Sequence, residues 1–159
     1  MFYWLIPIII LVGGIVMARH ALTVVIIVGH SMLPTFKDGD RVLVLKHYPL
    51  HWLRVGQIVL LCFKKNERLD LYEAFGSEPI LKRLVGLAGD AITSCAAGIN
   101  VCSSSCQMSH CDEHSKNKCI VEDKHIYVCG DNPQSSTDSR ILGSMPMSYV
   151  KGVVIHKFN

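Results

Sequence analysis

Charge is scarce in this sequence. Asp, Glu, Lys and Arg make up 18% of its 159 residues, against about 25% in ordinary soluble domains. A disordered chain would be polar and charge-rich, so disorder is excluded. The formal charge of +3 is too small to mark a nucleic-acid surface by bulk charge. No G-x-G-x-x-G and no phosphate loop occurs, so neither form of Gly-rich nucleotide site is encoded. No internal repeat is visible. No long amphipathic helix pattern follows Ala18, which leaves a mostly β domain for the remainder.

Half of the residues are hydrophobic and the mean hydropathy is +0.31. This excess is concentrated at the front. Met1 to Ala18 contain no charged side chain, and eighteen helical residues span about 27 Å, close to the ~30 Å hydrocarbon core of a bilayer. Pro7 lies in the first two turns, where a helix tolerates it. Tyr3 and Trp4 sit at one end, as interfacial aromatics do. The segment predicts a transmembrane helix. A cleaved signal peptide would start basic and exit through small-x-small, whereas this exit reads Ala18-Arg19-His20-Ala21. A buried core helix would show a polar stripe, and none is present. Arg19 and His20 weakly place the exit end in the cytoplasm.

From Ala21 the pattern shifts to short β-branched runs. Ala21 to Val28 reads as a buried strand, broken at Gly29-His30-Ser31, with a turn at Pro34 and Lys37-Asp38-Gly39-Asp40. Further strands are predicted at Arg41–Leu45, Gln57–Phe63, Ile80–Leu87, His125–Cys129 and Tyr149–Lys157, separated by Gly, Pro and Asp turns. Thr93 to Asn117 is rich in Ser and Cys and poor in large apolar residues. It reads as a surface insertion held by cross-links or metal rather than by a core.

Three segments carry groups capable of chemistry. Ser31 ends a strand-like run in a tight turn. Most such serines only bond their own backbone, but an exposed hydroxyl beside a base is a nucleophile. Lys82 lies among Leu81, Leu84 and Val85. Pointing outward it snorkels. Pointing inward it is desolvated, its pKa falls, and the neutral amine can act as general base. The loop from Gly130 to Arg140 is dense in hydrogen-bonding groups, which suits support of a site.

Taken together, Ser31-Met32-x-Pro34-Thr35 with Gly39-Asp40, Lys82-Arg83-x-Val85-Gly86-x-x-Gly89-Asp90, Gly130-Asp131-Asn132 and Ser136-x-Asp138-Ser139-Arg140 resemble the sequence boxes of type I signal peptidases. The boxes stand in that family's order behind an apolar segment, and Gln57-Ile58-Val59 after Gly56 is similar to a weaker one. The mitochondrial inner-membrane peptidases share them. The resemblance covers roughly residues 21–93 and 124–154. It implies a mostly β fold of coiled antiparallel sheets behind one N-terminal transmembrane helix, with an anchor at 1–18 and a peptidase domain at 19–159 carrying a Cys-rich insertion at about 93–119.

The same resemblance implies a serine endopeptidase that removes signal peptides from exported preproteins, cutting after small residues. Ser31 would be the nucleophile and Lys82 the general base, with Ser136 orienting the amine. Arg83 would pair with Asp131, and Asp138 with Arg140. The Ser31 backbone N–H would face the oxyanion. Some relatives add a serine hydroxyl two residues earlier; here that residue is Gly29, and the second donor stays open. His30 adjoins Ser31, but neighbours on an extended chain point to opposite faces. Substrate would bind as an added strand between Val25, Ile26, Ile27, Val28, Gly29 and Met32 on one wall and Pro79, Ile80 and Leu81 on the other. The implied partners are preprotein signal peptides and the lipid bilayer, with no nucleic acid and no cofactor. The implied location is the inner cell membrane, single-pass, with the catalytic domain on the periplasmic or extracellular side.

Six of seven cysteines, Cys95, Cys102, Cys106, Cys111, Cys119 and Cys129, fall within a short stretch. In an oxidising space two or three disulfides are expected, with fifteen possible pairings. Zinc held by Cys102, Cys106, His110, Cys111 or His114 is the rival, and Cys129 also suits a free buried thiol. Two other functional readings stay open beside the general peptidase. One is a dedicated maturation protease of the same fold. The other, from a different class, is a non-catalytic Cys-rich membrane-anchored binding module.

Overall fold

Apolar runs of four to nine residues, closed by turn residues, set the architecture of the chain. A computed structural model describes residues 5–63, 73, 75–76, 78–95, 98–102 and 118–158. Helix α1 covers Leu5–Ala21. Ten strands follow: β1 Leu22–Ile26, β2 Arg41–Lys46, β3 Ile58–Leu61, β4 Ile80–Leu87, β5 Ala91–Cys95, β6 Gly98–Cys102, β7 Lys118–Ile120, β8 His125–Cys129, β9 Met145–Pro146 and β10 Val150–Phe158. A four-residue helix, α2, covers Ser139–Leu142. Seven strands form one sheet in the order β1-β2-β10-β3-β4-β8-β9, and three form a second in the order β6-β5-β7. Every pairing is antiparallel.

The main sheet is buried on both faces. Val59, Leu61, Leu84, Ile126 and Val128 pack with Phe63, Met145 and Tyr149 in one cluster. Val42, Val44, Leu60 and Leu81 pack with Ile27, Met32 and Phe36 in another. Burial on both faces explains the nearly continuous apolar runs of β3 and β4. Gly152 in β10 lets neighbouring strands approach: a Cβ there would lie 2.6 Å from the Leu45 carbonyl oxygen.

The predicted strand at Ala21–Val28 needs correction, because it is shorter. Ala21 ends α1, and pairing stops at Ile26. At the expected membrane segment over 1–18 the structure shows a helix, α1, over Leu5–Ala21. Among the described residues no helix is long and apolar enough to cross a membrane. Residues 1–4, with Tyr3 and Trp4, lie outside the described residues.

The described residues of the expected Cys-rich insertion at about 93–119 belong to the three-stranded sheet, and on its two flanks Ile92 and Val121 pack with Tyr127 and Cys129 of β8. Cys129 is buried and not in a disulfide, so it leaves the set of cross-linking candidates. Cys95, Cys102 and Cys119 are placed by backbone on β5, β6 and β7. Cys106, His110, Cys111 and His114 lie outside the described residues.

Candidate active site

Strand β4 brings Lys82 into the interior. Its cross-strand partner is Val59, which is fully buried, and Lys82 itself is 3% exposed. Its Nζ donates to the Ser136 hydroxyl at 2.9 Å. Ser136 in turn donates to Asp138 Oδ2 at 2.6 Å. A carboxylate only accepts, so Asp138 takes the Ser136 proton and leaves the Ser136 oxygen facing the amine. Burial lowers the Lys82 pKa from its ordinary value; Asp138 and Cys129 work against this, and Arg140 works with it. The net shift is downward, which makes the neutral amine easier to reach than for an exposed lysine.

Asp138 holds the loop after β8. It is completely buried, and it accepts from the Gly130 N–H at 2.8 Å, from Arg140 Nε at 2.8 Å and from the Arg140 N–H at 3.1 Å. Burial works to raise its pKa, but the hydrogen bonds from Arg140, Ser136 and Gly130 together hold it below the usual carboxylate range. Ser139 fastens the same loop to β8 by accepting the Val128 N–H at 3.0 Å.

Ser31 sits in the turn between β1 and β2. Two buried side chains, Met32 and Phe36, anchor that turn, and the Phe36 N–H donates to the Met32 carbonyl at 2.9 Å. The loop after β8 clamps it further. The Asn132 N–H donates to the Ser31 carbonyl at 2.9 Å, and the Asn132 side chain donates to the His30 carbonyl at 3.1 Å. Arg83 makes two 2.7 Å bonds to Asp131, and the Thr35 hydroxyl donates to the same carboxylate at 2.5 Å. Burial opposes ionisation of Asp131, yet Arg83 and Thr35 lower its pKa overall. The Arg83–Asp131 ion pair thus joins β4, the Ser31 turn and the loop carrying Ser136.

Gly130 is where these parts meet. A Cβ there would lie 2.2 Å from Ser136 Oγ and 2.6 Å from the Ser31 carbonyl oxygen. Gly130→Ala is therefore expected to displace Ser136 from Lys82 and cut any turnover by about 100-fold, the scale of a 1 Å misplacement. Kinetics at full substrate saturation check this; undiminished kcat would show that the close approach is not needed.

A cleft of about 440 Å³ opens on this arrangement. Val25 to Val28, Ser31 and Met32 line one side, and Pro79 to Lys82 the other. A family model described as signal peptidase, peptidase S26, matches residues 1–158. The chain belongs to the S26 peptidase family. Membership makes it a hydrolase of the serine protease type. Among relatives, mitochondrial inner membrane protease subunit 1 of Mus musculus is 28% identical over 149 residues, covering 92% of this chain and 69% of the relative. The probable signal peptidase I-1 of Synechocystis is 28% identical over 132 residues, covering 80% and 66%. A solved signal peptidase I of Enterococcus faecalis is 18% identical with a TM-score of 0.44, covering 65% of this chain and 97% of that one.

Of the expected chemical residues of this S26 peptidase, Ser31 and Lys82 line the cleft, while Ser136, Asp138 and Arg140 connect to Lys82 through hydrogen bonds and Arg83 and Asp131 pair behind the Ser31 turn. Gly29 stands apart from the cleft lining. Its N–H donates to Asp38 at 2.7 Å, and its φ of +91° suits a residue without Cβ. Its amide is therefore engaged elsewhere, which removes it as an oxyanion donor. Phe75, Glu78, Ser135 and Thr137 also line the cleft, and the sequence motifs did not point to them. Ser135 and Thr137 flank Ser136 and carry only their nearness as a signal. Phe75 stacks on Phe63, with ring centroids 4.9 Å apart, a contact that exists only after folding.

Proposed function

We propose that this chain is a signal-peptidase-type endopeptidase that cuts after small residues at the ends of preprotein signal peptides, using Ser31 and Lys82. The observation that carries the proposal is the buried Lys82 amine, bound to Ser136 in the cleft that Ser31 also lines. A serine hydroxyl needs a base to become a nucleophile. With one N–H committed to Ser136, the neutral amine keeps its lone pair for the Ser31 proton. The Ser31 oxygen attacks the scissile carbonyl, and the Ser31 backbone N–H stabilises the oxyanion. Lys82 then returns its proton to the leaving amine. Water attacks the acyl-enzyme in the same manner, with Lys82 again as base.

The substrate enters as an extended strand. Among the described residues β1 pairs only with β2, so its other edge can accept a chain. Apolar walls from Ile26, Val28 and Ile80 suit a signal peptide's apolar core. We place the enzyme at an inner membrane with its catalytic part on the trans side and α1 as the anchoring element. Ile9 and Ile10 of α1 are exposed, and one relative is named for a mitochondrial inner membrane.

The test is cleavage of a purified preprotein in detergent. Ser31→Ala is expected to lower the rate at least about 1,000-fold, the scale of losing a nucleophile. His30→Ala is expected to keep most activity, since the residue is exposed and the bonds it makes, from Asn132 and the Leu33 N–H, go to its backbone carbonyl. Activity that survived Ser31→Ala, or vanished in His30→Ala alone, would remove the mechanism.

A further inference from the structure

Strand β10 carries an irregularity that the reaction does not use. Along its pairing with β2, Val153 faces Leu45 and Val154 faces Val44, but His156 rather than Ile155 faces Leu43. Ile155 is the extra residue of a β-bulge. Bulges re-aim the side chains that follow them. Here the alternation changes sides, and Lys157 stands opposite Val42, which is fully buried against Met32 and Phe36. Opposed residues of an antiparallel pair share a face. Without the bulge, His156 would stand opposite Val42 instead.

The re-aimed ammonium reaches the turn that carries Ser31. Lys157 Nζ pairs with Asp40 at 2.6 Å, lies 5.6 Å from the centre of the Phe36 ring and donates to the Thr35 carbonyl at 3.4 Å. Asp40 closes the base of the same turn. Its carbonyl accepts the Ile27 N–H at 2.8 Å, and its carboxylate accepts the Lys37 N–H at 2.7 Å. Lys157 also keeps the Asp40 carboxyl below its ordinary pKa. Asp131 and Asn132 hold the turn from the loop after β8. Lys157 is its fastening from the opposite end of the sequence, outside every recognised motif.

We propose that Lys157 is a positioning residue for Ser31, aimed by the bulge at Ile155 and acting through Asp40, Phe36 and Thr35. The inference rests on Ser31 being the nucleophile. The full chain in detergent is assayed on a preprotein as wild type, Lys157→Met, Lys157→Arg and Asp40→Asn, with kcat, KM, the pre-steady-state acylation rate and Tm measured for each. Lys157→Met is expected to lower kcat and acylation together about tenfold, within the range for a slightly misplaced group, with KM within about twofold. Lys157→Arg is expected to recover most of the loss by keeping the charge at Asp40. Asp40→Asn, which keeps the polar contacts but removes the ion pair, is expected to lower kcat in the same direction. An unchanged kcat in Lys157→Met would overturn the proposal. So would a loss that follows Tm alone and that arginine does not recover. If Ser31→Ala were still active, the nucleophile assignment would fail instead, and the two failures are told apart by that variant.

Discussion

Lys82→Met is expected to abolish cleavage and to make the folded protein more stable at neutral pH. Loss of the general base is expected to cost at least about 1,000-fold in kcat. The gain in stability follows from proton linkage. Burial holds the Lys82 pKa below the ordinary 10.5. Between its folded value and 10.5 the unfolded chain keeps a proton that the folded chain has released. Stability therefore rises with pH across that window. Methionine has nothing to desolvate or deprotonate, so the variant loses this pH dependence and gains most at the acid end. In the wild type the cleavage rate should rise with pH as Lys82 becomes neutral, with an apparent pKa below 10.5. Rate profiles and thermal melts from pH 6 to 10 give both measurements. A variant with an undiminished rate, or a melting point reduced throughout that range, would mean that Lys82 is a paired structural cation.

Asp138→Ala is expected to cost about 3–5 kcal/mol of stability, the scale for removing one partner of a buried ion pair. Asp138 is completely buried, and the Arg140 side chain it pairs with is 19% exposed. Truncation leaves the Gly130 N–H without its acceptor and the guanidinium with only the Gly130 carbonyl at 3.3 Å and no counter-charge beside it. It also frees the Ser136 hydroxyl to rotate, so the Lys82 amine loses its fixed partner and kcat falls with stability. In the wild type, the Asp138 contribution is fully present above the unfolded carboxyl value and fades as pH drops through the lower folded value. Urea titration with a parallel kcat measurement checks the prediction. A loss under 1 kcal/mol, typical of an exposed pair, would show that water reaches the site.

Much of this arrangement was legible in the residues. Strands β4 and β8 have the predicted bounds, Ile80–Leu87 and His125–Cys129, because each apolar run ends in a strong turn signal, Gly89-Asp90 or Gly130-Asp131. The front of the domain was harder to read. Ala21 to Val28 is apolar apart from Thr23, so no local signal told the last turn of α1 from the first residue of β1, or marked where pairing with β2 stops. β5 and β6 were hidden because Ser, Thr and Asn dilute their alternation of Ile92, Ile99 and Val101. In the site, Ser31, Lys82 and the loop from Gly130 to Arg140 stood out through their motifs. Phe75 and Lys157 did not, because each acts through a contact with residues distant in the chain. For Lys157 that contact depends on a one-residue irregularity in strand pairing.

Helix α1 runs into β1 without an intervening residue, from Ala21 to Leu22, and the last residues of β1 form a wall of the cleft. With no loop between them, the helix and that wall are one continuous run of hydrogen-bonded backbone, so the course of the chain out of α1 also sets where that side of the cleft begins.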